Sequence, residues 1–320
     1  MHLSVLIVNY NTSELLERCL KSVFLSNSTV PIEVLVADCN SNDGSVSMIR
    51  EKFPSVSLHT HATNVGFTRP LNALLKEARA DFYLLLHPDV ELLSDTIQEL
   101  LDFFEHHPRA GLVGANLYYP DGTPNPCEIL CPSVLNDLIC FILRLFRKLP
   151  LANRIATDYN PLEWSHHSTA RVNWVWNACM LVRKEVFDDI GGFDEDFFVW
   201  YADWDLGKRA AAFGWESYYL HSASAIGYES QSFESDDLRT EAVRYEIDGW
   251  QSASMMIPDR YTFIKKHCPK SLVGIKVVDI LQNTLRLGLI LVRDAKQRRG
   301  CSNGSLSARA YKETIRAILR

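Results

Sequence analysis

The clearest structural signal in this 320-residue chain is the sequence Tyr83-Leu84-Leu85-Leu86-His87-Pro88-Asp89. All five residues from Phe82 to Leu86 are apolar, so both faces of a strand formed by them would be apolar. This is typical of a strand buried within a parallel sheet. Pro88 has no N–H to donate to a neighbouring strand, so the strand is predicted to end before Asp89. Asp89 is therefore expected at the carboxyl end of a central strand, where open α/β sheets bind their ligands.

Strand and helix patterns alternate on both sides of this segment, over the first 115 residues. Such alternation with short loops is the signature of βαβ units and a parallel sheet. Strands are predicted at residues 3–8, 32–37, 56–59, 81–87 and 110–115, and helices at residues 13–24, 45–52, 71–80 and 96–106.

Three polar loops follow the predicted strands: Asn9–Asn11, Asp38–Gly44 and His87–Asp89. Right-handed crossovers bring the loops that follow parallel strands to one edge of the sheet. Their convergence predicts a nucleotide site, in which the Asp89 carboxylate can hold a divalent metal against a diphosphate. For Asp89 taken alone, the alternative is an ordinary aspartate in the turn after a strand.

The loop after the first strand also excludes some classes of nucleotide enzyme. No Gly-x-Gly-x-x-Gly follows that strand, and no Gly-x-x-x-x-Gly-Lys occurs in the chain. These absences disfavour a dinucleotide dehydrogenase and a P-loop phosphotransferase. A nucleotidyltransferase acting on sugar phosphates would need a glycine-rich, basic loop, which Asn9-Tyr10-Asn11-Thr12 is not.

The composition is that of a globular protein, with 47% hydrophobic and 22% charged residues, and suits one large domain or two smaller ones. Among eight cysteines the one close pair is Cys127 and Cys131, and no second pair completes a zinc site. Reduced thiols in a cytosolic protein are therefore expected. The amino-terminal residues lack the basic region of a signal peptide.

Charge is unevenly distributed along the chain. The net charge is −6, but residues 271–320 contain ten Lys or Arg and three Asp or Glu, a net of +7, which leaves −13 for the first 270 residues. Residues 138–149 and 272–292 combine apolar residues with Arg and Lys, although neither is apolar enough to span a membrane. Each predicts either a helix in a membrane interface or a core helix with solvated basic positions. We expect a cytoplasmic protein, with peripheral attachment to the inner face of the cytoplasmic membrane left open and no nucleic-acid partner.

Taken together, residues 3–232 resemble glycosyltransferase family 2, and in particular its rhamnosyltransferase-like branch. Five blocks in the family's order carry the resemblance: Ser4–Asn11, Asp38–Ser45, Asn64–Phe67 with Asn72, Leu86–Asp89, and Gly191–Phe198 with Asp203, Trp204, Asp205, Leu206 and Arg209. The resemblance implies a GT-A fold, an α/β Rossmann-like nucleotide-diphospho-sugar transferase whose central, mostly parallel sheet is flanked by helices. It implies a transferase domain over residues 1–235, followed by a basic, helical, membrane-associating region over residues 236–320.

The resemblance also implies an activity. An inverting glycosyltransferase would move a sugar from a UDP- or dTDP-linked donor to a hydroxyl of a saccharide or lipid-linked acceptor, in cell-surface polysaccharide synthesis. Two alternatives stay open: a catalytically degenerate homologue that binds a nucleotide, and a scaffold of a polysaccharide assembly complex.

The donor-binding positions that the family implies are Val8, Tyr10, Asp38, Asn64, Gly66 and Arg69. The ring of Tyr10 can lie on the nucleotide base, and Asp38 can accept the imide N–H of uracil or thymine. Arg69 can donate to the diphosphate. The alternatives are that Asp38 caps the next helix and that Arg69 is a solvated cation.

The remaining roles concern the metal and the base. Asp89 would bind Mg²⁺ or Mn²⁺, and His87, on the same side if the strand continues, would be a second ligand or a hydrogen-bond donor to phosphate. An imidazole ligand favours Mn²⁺. Asp203 is the predicted general base, its pKa raised by repulsion from Asp205, which more readily caps a helix. Trp200, Tyr201 and Trp204 could stack on a sugar or simply belong to the core.

Three positions depart from the family pattern. Ala202 stands where a glutamate usually precedes the base, and Gly227 stands where a metal-binding histidine is often found. His87, His221 or Glu229 would then have to replace that histidine. The small residue common before the acceptor-side strand is replaced within Trp176-Asn177-Ala178-Cys179-Met180.

Overall fold

A computed structural model of the chain describes residues 2–125, 168–228 and 256–297, together with residues 315, 316, 318 and 319. The described residues form two compact units. The first contains residues 2–125 and 168–228, and the second contains residues 256–297 and those near the carboxyl terminus. The predicted helix at 138–149, the domain boundary predicted at residues 235 and 236, and Glu229 lie outside the described residues.

The first unit alternates strands and helices along the chain. Its elements are β1 (Leu3–Asn9), α1 (Ser13–Phe24), β2 (Ile32–Asp38), α2 (Ser45–Lys52), β3 (Ser57–Thr60), α3 (Thr68–Glu77), β4 (Phe82–Leu86), β5 (Val90–Leu92), α4 (Thr96–His106), β6 (Ala110–Tyr118), β7 (Ala170–Val172), β8 (Cys179–Arg183), α5 (Lys184–Ile190), α6 (Ala202–Ala212) and β9 (Glu216–Gly227). Apart from β5, the alternation up to β6 is the predicted one.

Within the described residues, the nine strands form one mixed sheet in the order β3-β2-β1-β4-β8-β6-β9-β5, and β7 pairs with β9. The half from β3 to β4 is parallel, and β9 runs parallel to β6. β8 is antiparallel to both of its neighbours, β4 and β6. The first four strands therefore end at one edge of the sheet, and β8 begins at that edge.

The core explains why these segments pair as they do. All five residues of β4 are buried, as are all but one of the seven in β1, because the sheet is covered on both faces. In α1 the buried residues recur at helical spacing and face the sheet: Leu15, Leu16, Cys19, Leu20 and Val23. β4 covers Phe82–Leu86, one residue shorter at each end than the predicted 81–87, and it ends before Pro88 and Asp89 as expected.

The prediction was wrong at some boundaries and missed several pairings. α3 begins at Thr68 and not at Leu71, because Pro70 fits the first turn of a helix, where no N–H is needed. β3 lies one residue later than predicted. β5, only three residues long, was not predicted, and its antiparallel partner β9 lies well over a hundred residues later in the chain. Such distant pairings leave no local signal in the sequence.

The second unit is helical in the part that the structure describes. Residues 256–267 form α7, a single 3₁₀ turn follows at Pro269–Ser271, and α8 extends over Leu272–Gln297. Ile257, Tyr261, Ile264, Ile275 and Ile318 form its buried cluster. No helix in the described ranges is long and apolar enough to cross a membrane.

Candidate active site

The ends of β1 and β2 are joined by side-chain hydrogen bonds. Asn9 and Asp38 are paired in register, and Nδ2 of Asn9 donates to Oδ1 of Asp38 at 2.8 Å. The other carboxylate oxygen of Asp38 accepts the backbone N–H of Ser41 at 2.9 Å. Thr12 Oγ1 completes the group by donating to Oδ1 of Asn9 at 2.5 Å. The first two predicted loops therefore converge. Asn9 positions the Asp38 carboxylate, a role that the sequence motifs did not indicate.

The donor-side positions differ in accessibility. Asp38 is only 1% exposed, and its carboxylate fixes the loop that follows β2. Its role as a base acceptor remains a prediction. Tyr10, which directly follows β1, is 38% exposed, and Val8 is partly buried at the end of the same strand.

The loop before α3 contains a glycine that cannot be replaced without a clash. Asn64 Oδ1 accepts the N–H of Gly66 at 3.0 Å. Gly66 has φ of +86°, and an added Cβ would lie 2.5 Å from the carbonyl oxygen of Phe198. The same oxygen accepts the N–H of Phe67 at 2.6 Å. The glycine is therefore required by the close approach of residues 192–198 to this loop.

Further hydrogen bonds extend that contact along α3. Asn72 donates to the carbonyl oxygen of Phe193 at 2.9 Å and accepts the Phe193 N–H at 2.9 Å. Thr68 Oγ1 donates to the carbonyl of Phe197 at 2.6 Å. Arg69 is 63% exposed, and its Nε lies 3.9 Å from Oε2 of Glu195. α3 and residues 193–198, which belong to separate blocks of the sequence, are thus in direct contact.

His87 and Asp89 lie close together just beyond β4. His87 Nδ1 is 4.0 Å from Oδ1 of Asp89, although the strand has already ended, so a turn and not strand alternation brings them together. The imidazole is flanked edge-on by the rings of Phe67 and Trp176. Burial among these groups lowers the pKa of His87, while Asp89 and a hydrogen bond with the Asn177 side chain act in the opposite direction.

The two residues fit a metal ion that is shared with a ligand. A neutral imidazole nitrogen and a carboxylate oxygen are both donors that Mn²⁺ accepts. Among the described residues, no group of three or more His, Cys, Asp and Glu side chains is arranged to hold a metal ion. The pair therefore suits an ion that takes its other ligands from phosphate and water, as Mg²⁺ commonly does in phosphate-binding sites.

Asp203 is a buried carboxyl group at the start of α6. It lies in the first turn of α6, and its Oδ1 accepts the N–H of Trp204 at 2.9 Å. Burial raises the pKa of Asp203 to about 7, although hydrogen bonds from backbone N–H groups, including that of Asn177, act to lower it. A carboxyl group with this pKa can take up a proton near neutral pH.

Asp205 has a different environment from Asp203. It is fully buried, and its Oδ2 accepts Nε of Arg209, one helical turn later, at 2.6 Å. Repulsion from Asp205 was the wrong explanation for the raised pKa of Asp203, because Arg209 compensates that charge and burial is the main cause. Asp205 does not cap α6; its N–H bonds to the carbonyl of Tyr201 and its carboxylate to Arg209.

Aromatic rings pack on one another at the start of α6. The rings of Trp174 and Trp204 lie 4.7 Å apart, and that of Tyr201 meets Trp204 edge-on. Tyr201 has φ of +61°, a left-handed conformation that sets the direction in which α6 begins. Ala202, where the family pattern has a glutamate, is buried and contributes no carboxylate.

The departure at Gly227 falls beside Asp89. Gly227 pairs with Val90, and the N–H of the next residue, Tyr228, donates to the carbonyl oxygen of Asp89 at 2.9 Å. Nδ1 of His221 lies 3.3 Å from the amide nitrogen of Asn116. Tyr228 donates its hydroxyl to Glu91 at 3.0 Å.

Comparison with known proteins decides the family. The model of "Glycosyl transferase family 2" matches residues 4–191, more than half of the chain. The chain belongs to glycosyl transferase family 2. It is 31% identical over 241 residues to an N-acetylglucosaminyl-diphospho-decaprenol L-rhamnosyltransferase of Mycobacterium tuberculosis, covering 72% of this chain and 77% of that protein. It is also 27% identical to the O-antigen biosynthesis protein RfbC of Myxococcus xanthus, over 80% of this chain but 19% of that protein.

Solved structures agree with this family in fold. The mannosyltransferase PcManGT from Pyrobaculum calidifontis, in complex with GDP-Man and Mn²⁺, aligns with a TM-score of 0.52 at 15% identity, over 99% of this chain and 84% of that one. The TarS 1-349 structure from S. aureus gives 0.50 at 15% identity, over 99% and 91%. The predicted GT-A fold, the rhamnosyltransferase-like branch and the assignment as a glycosyltransferase are confirmed.

Neutralising Asp203 should stabilise the protein at neutral and alkaline pH, whereas neutralising Asp205 should destabilise it. The pKa of Asp203 is about 7 in the folded protein, against about 4 for an unfolded aspartate. Between these values the unfolded chain releases a proton that the folded protein keeps, so this group lowers stability as pH rises and the full penalty is present above pH 7. We expect Asp203→Asn to raise the free energy of unfolding at about pH 8 by on the order of 2–4 kcal/mol, and much less at about pH 4.

Urea unfolding at both pH values measures this difference. Asp205→Asn is the control, because it leaves the Arg209 guanidinium without its buried partner and should lower stability at about pH 8. A destabilised Asp203→Asn protein, or a gain that does not depend on pH, would contradict the burial argument.

Proposed function

We propose that this glycosyltransferase transfers one sugar, with inversion, from a UDP- or dTDP-linked donor to a hydroxyl of a lipid-linked saccharide. The observation that carries this proposal is that one turn, residues 173–178, contacts both His87 at the end of β4 and Asp203 at the start of α6. His87, which is suited to the donor diphosphate, and Asp203, which is suited to accept the acceptor proton, are thus both held by this turn.

The donor is assigned to the edge formed by the loops after β1, β2 and β4. We infer that Tyr10 covers the base, that Asp38 accepts its imide N–H, and that Asn64 and Gly66 shape the backbone around the sugar and diphosphate. Arg69 is exposed and held only loosely by Glu195, so it can turn towards phosphate oxygens. Uracil and thymine share this imide, which is why both donor classes remain in the proposal.

Asp89 and His87 would hold the divalent ion, Mn²⁺ or Mg²⁺. When bound, such an ion neutralises charge on the departing diphosphate. Asp203 is assigned as the general base, because its pKa of about 7 lets it accept a proton at neutral pH. Inversion requires that the hydroxyl attack from the face opposite the diphosphate, so Asp203 would act from the acceptor side.

The acceptor class is inferred from a relative. The mycobacterial protein is named for transfer to N-acetylglucosaminyl-diphospho-decaprenol. We infer a polyprenyl-diphosphate saccharide as the acceptor here, and a role in cell-surface polysaccharide synthesis. Such an acceptor is anchored in a membrane, so the enzyme has to work at a lipid surface.

The second unit offers a face for that surface. On α8, four apolar residues recur every fourth position and are exposed: Val273 by 74%, Val277 by 50%, Leu281 by 52% and Leu285 by 48%. We call this row the α8 stripe. Residues 256–297 contain eight Lys or Arg and three Asp or Glu, so an apolar stripe lies within a basic unit. This combination suits the surface of an anionic membrane, with the helix lying flat on it.

Transfer assays test the enzymatic proposal. UDP- and dTDP-linked sugars would be screened with Mn²⁺ or Mg²⁺ and a short-chain polyprenyl-diphosphate N-acetylglucosamine, and the release of nucleoside diphosphate would be measured. We expect Asp89→Asn to weaken donor binding and Asp203→Asn to retain it while losing at least about 100-fold in turnover. The wild-type rate should rise with pH up to about 7, because the base must be ionised.

Two outcomes would contradict these assignments. Donor binding without turnover, for every sugar tested, would favour the degenerate nucleotide-binding homologue. Full turnover by Asp203→Asn would remove Asp203 from the role of base while leaving the transferase intact.

Vesicle flotation tests the membrane proposal. We expect wild type to bind phosphatidylcholine vesicles that contain phosphatidylglycerol more strongly than pure phosphatidylcholine vesicles, and Leu281→Asp to lose this binding because a charge interrupts the α8 stripe. Leu25→Asp is the matched control, since Leu25 is a leucine with 77% exposure in the first unit. Equal binding by Leu281→Asp and wild type would contradict the proposal. It would also be contradicted if Leu281→Asp changed the oligomeric state of the protein but not its binding to vesicles.

A further inference from the structure

Asn177 lies in the turn before β8 and is 4% exposed. Its side chain hydrogen-bonds with the His87 ring, and its backbone N–H donates to the Asp203 carboxylate. The adjacent backbone completes the link, because the N–H of His87 donates to the carbonyl oxygen of Ala178 at 2.9 Å. One residue therefore contacts both groups on which the proposed reaction depends.

The hydrogen bond to the ring restricts an imidazole that is otherwise bounded by two aromatic rings and, at 4.0 Å from Nδ1, by the Asp89 carboxylate. The rings of Phe67 and Trp176 meet His87 edge-on at centroid distances of 5.7 and 6.4 Å, which limits where the ring lies but not which nitrogen carries the proton. A hydrogen bond to one ring nitrogen selects the tautomer and so determines which nitrogen presents a lone pair.

The backbone hydrogen bond acts on the other group. Asp203 is buried and receives backbone N–H groups from its own residue, from Trp204 and from Asn177. The first two belong to α6, and the third comes from the turn. The orientation of the carboxylate relative to α6 is therefore set in part by where the turn lies.

We propose that Asn177 is a positioning residue that fixes the His87 ring and the Asp203 carboxylate in a single arrangement, the first through its side chain and the second through its backbone N–H. The inference rests on the proposed transferase function. The bond between His87 and the Asn177 side chain holds the turn, and the turn holds the base. Loss of that bond affects the base even though Asp203 itself is unchanged.

A double-mutant cycle measures this coupling. Asn177→Ala should lower kcat by about 10- to 100-fold, because misplacement of a catalytic group impairs the chemical step. It should also move the rising limb of the pH profile to higher pH, because the turn, once released from His87, no longer holds the backbone N–H of residue 177 against the ionised Asp203 carboxylate. In a His87→Ala background the same substitution should cost much less.

A second readout does not depend on activity. In the metal-free wild-type protein, the ring N–H of His87 should give a slowly exchanging nitrogen-15-coupled proton signal, assigned by its absence in His87→Ala. Asn177→Ala should lose this signal or change the tautomer. Asn177→Ser, a smaller perturbation of the buried site, should do the same if Asn177→Ala does not fold. Asn173→Ala, an exposed asparagine of the same turn, is the control and should match wild type.

The outcomes separate the two claims. Wild type that transfers no sugar overturns the proposed function, whereas the His87 signal still tests the hydrogen bond. Equal costs of Asn177→Ala in both backgrounds, or an unchanged His87 signal, overturn the coupling while leaving the transferase intact.

Discussion

The antiparallel pairing of β8 with β4 is the interaction on which the rest of the site depends. Five residue pairs join the strands, from Phe82 with Arg183 to Leu86 with Cys179. Because β4 ends where β8 begins, the turn before β8 lies at the edge where the parallel strands end. This ladder brings Asn177, in the turn before β8, next to the segment after β4 that contains His87 and Asp89. The hydrogen bonds between α3 and residues 193–198 join the same two parts of the chain a second time.

The parallel half of the fold could be predicted because its signals are local. β4 is apolar on both faces and is followed by a proline, and each loop of the donor edge directly follows its strand. The antiparallel half could not be predicted in the same way. The partner of Leu86 is Cys179, and nothing near either residue announces the other. Asn177 was noticed only as a departure from the family pattern, although a buried amide in a turn is itself a reason to look for its partners.

The candidate site shows the same division. Asp203 and Asp89 could be chosen from motif positions, whereas the physical state of each depends on neighbours that the sequence does not reveal. Repulsion between Asp203 and Asp205 was a reasonable expectation for two acids two residues apart. Arg209 removes it, and burial raises the pKa of Asp203 instead. A carboxyl group kept uncharged by burial reduces stability when it ionises, which is a common cost of a functional group in a protein core.

The most direct test of the account is the anomeric configuration of the linkage that the wild-type enzyme forms, determined by NMR on the product from a donor that is turned over. The account predicts inversion relative to the donor, because a hydroxyl deprotonated by Asp203 displaces the diphosphate from the opposite face in one step. Retention of configuration would contradict it, since a single displacement assisted by one base cannot preserve the configuration of the sugar.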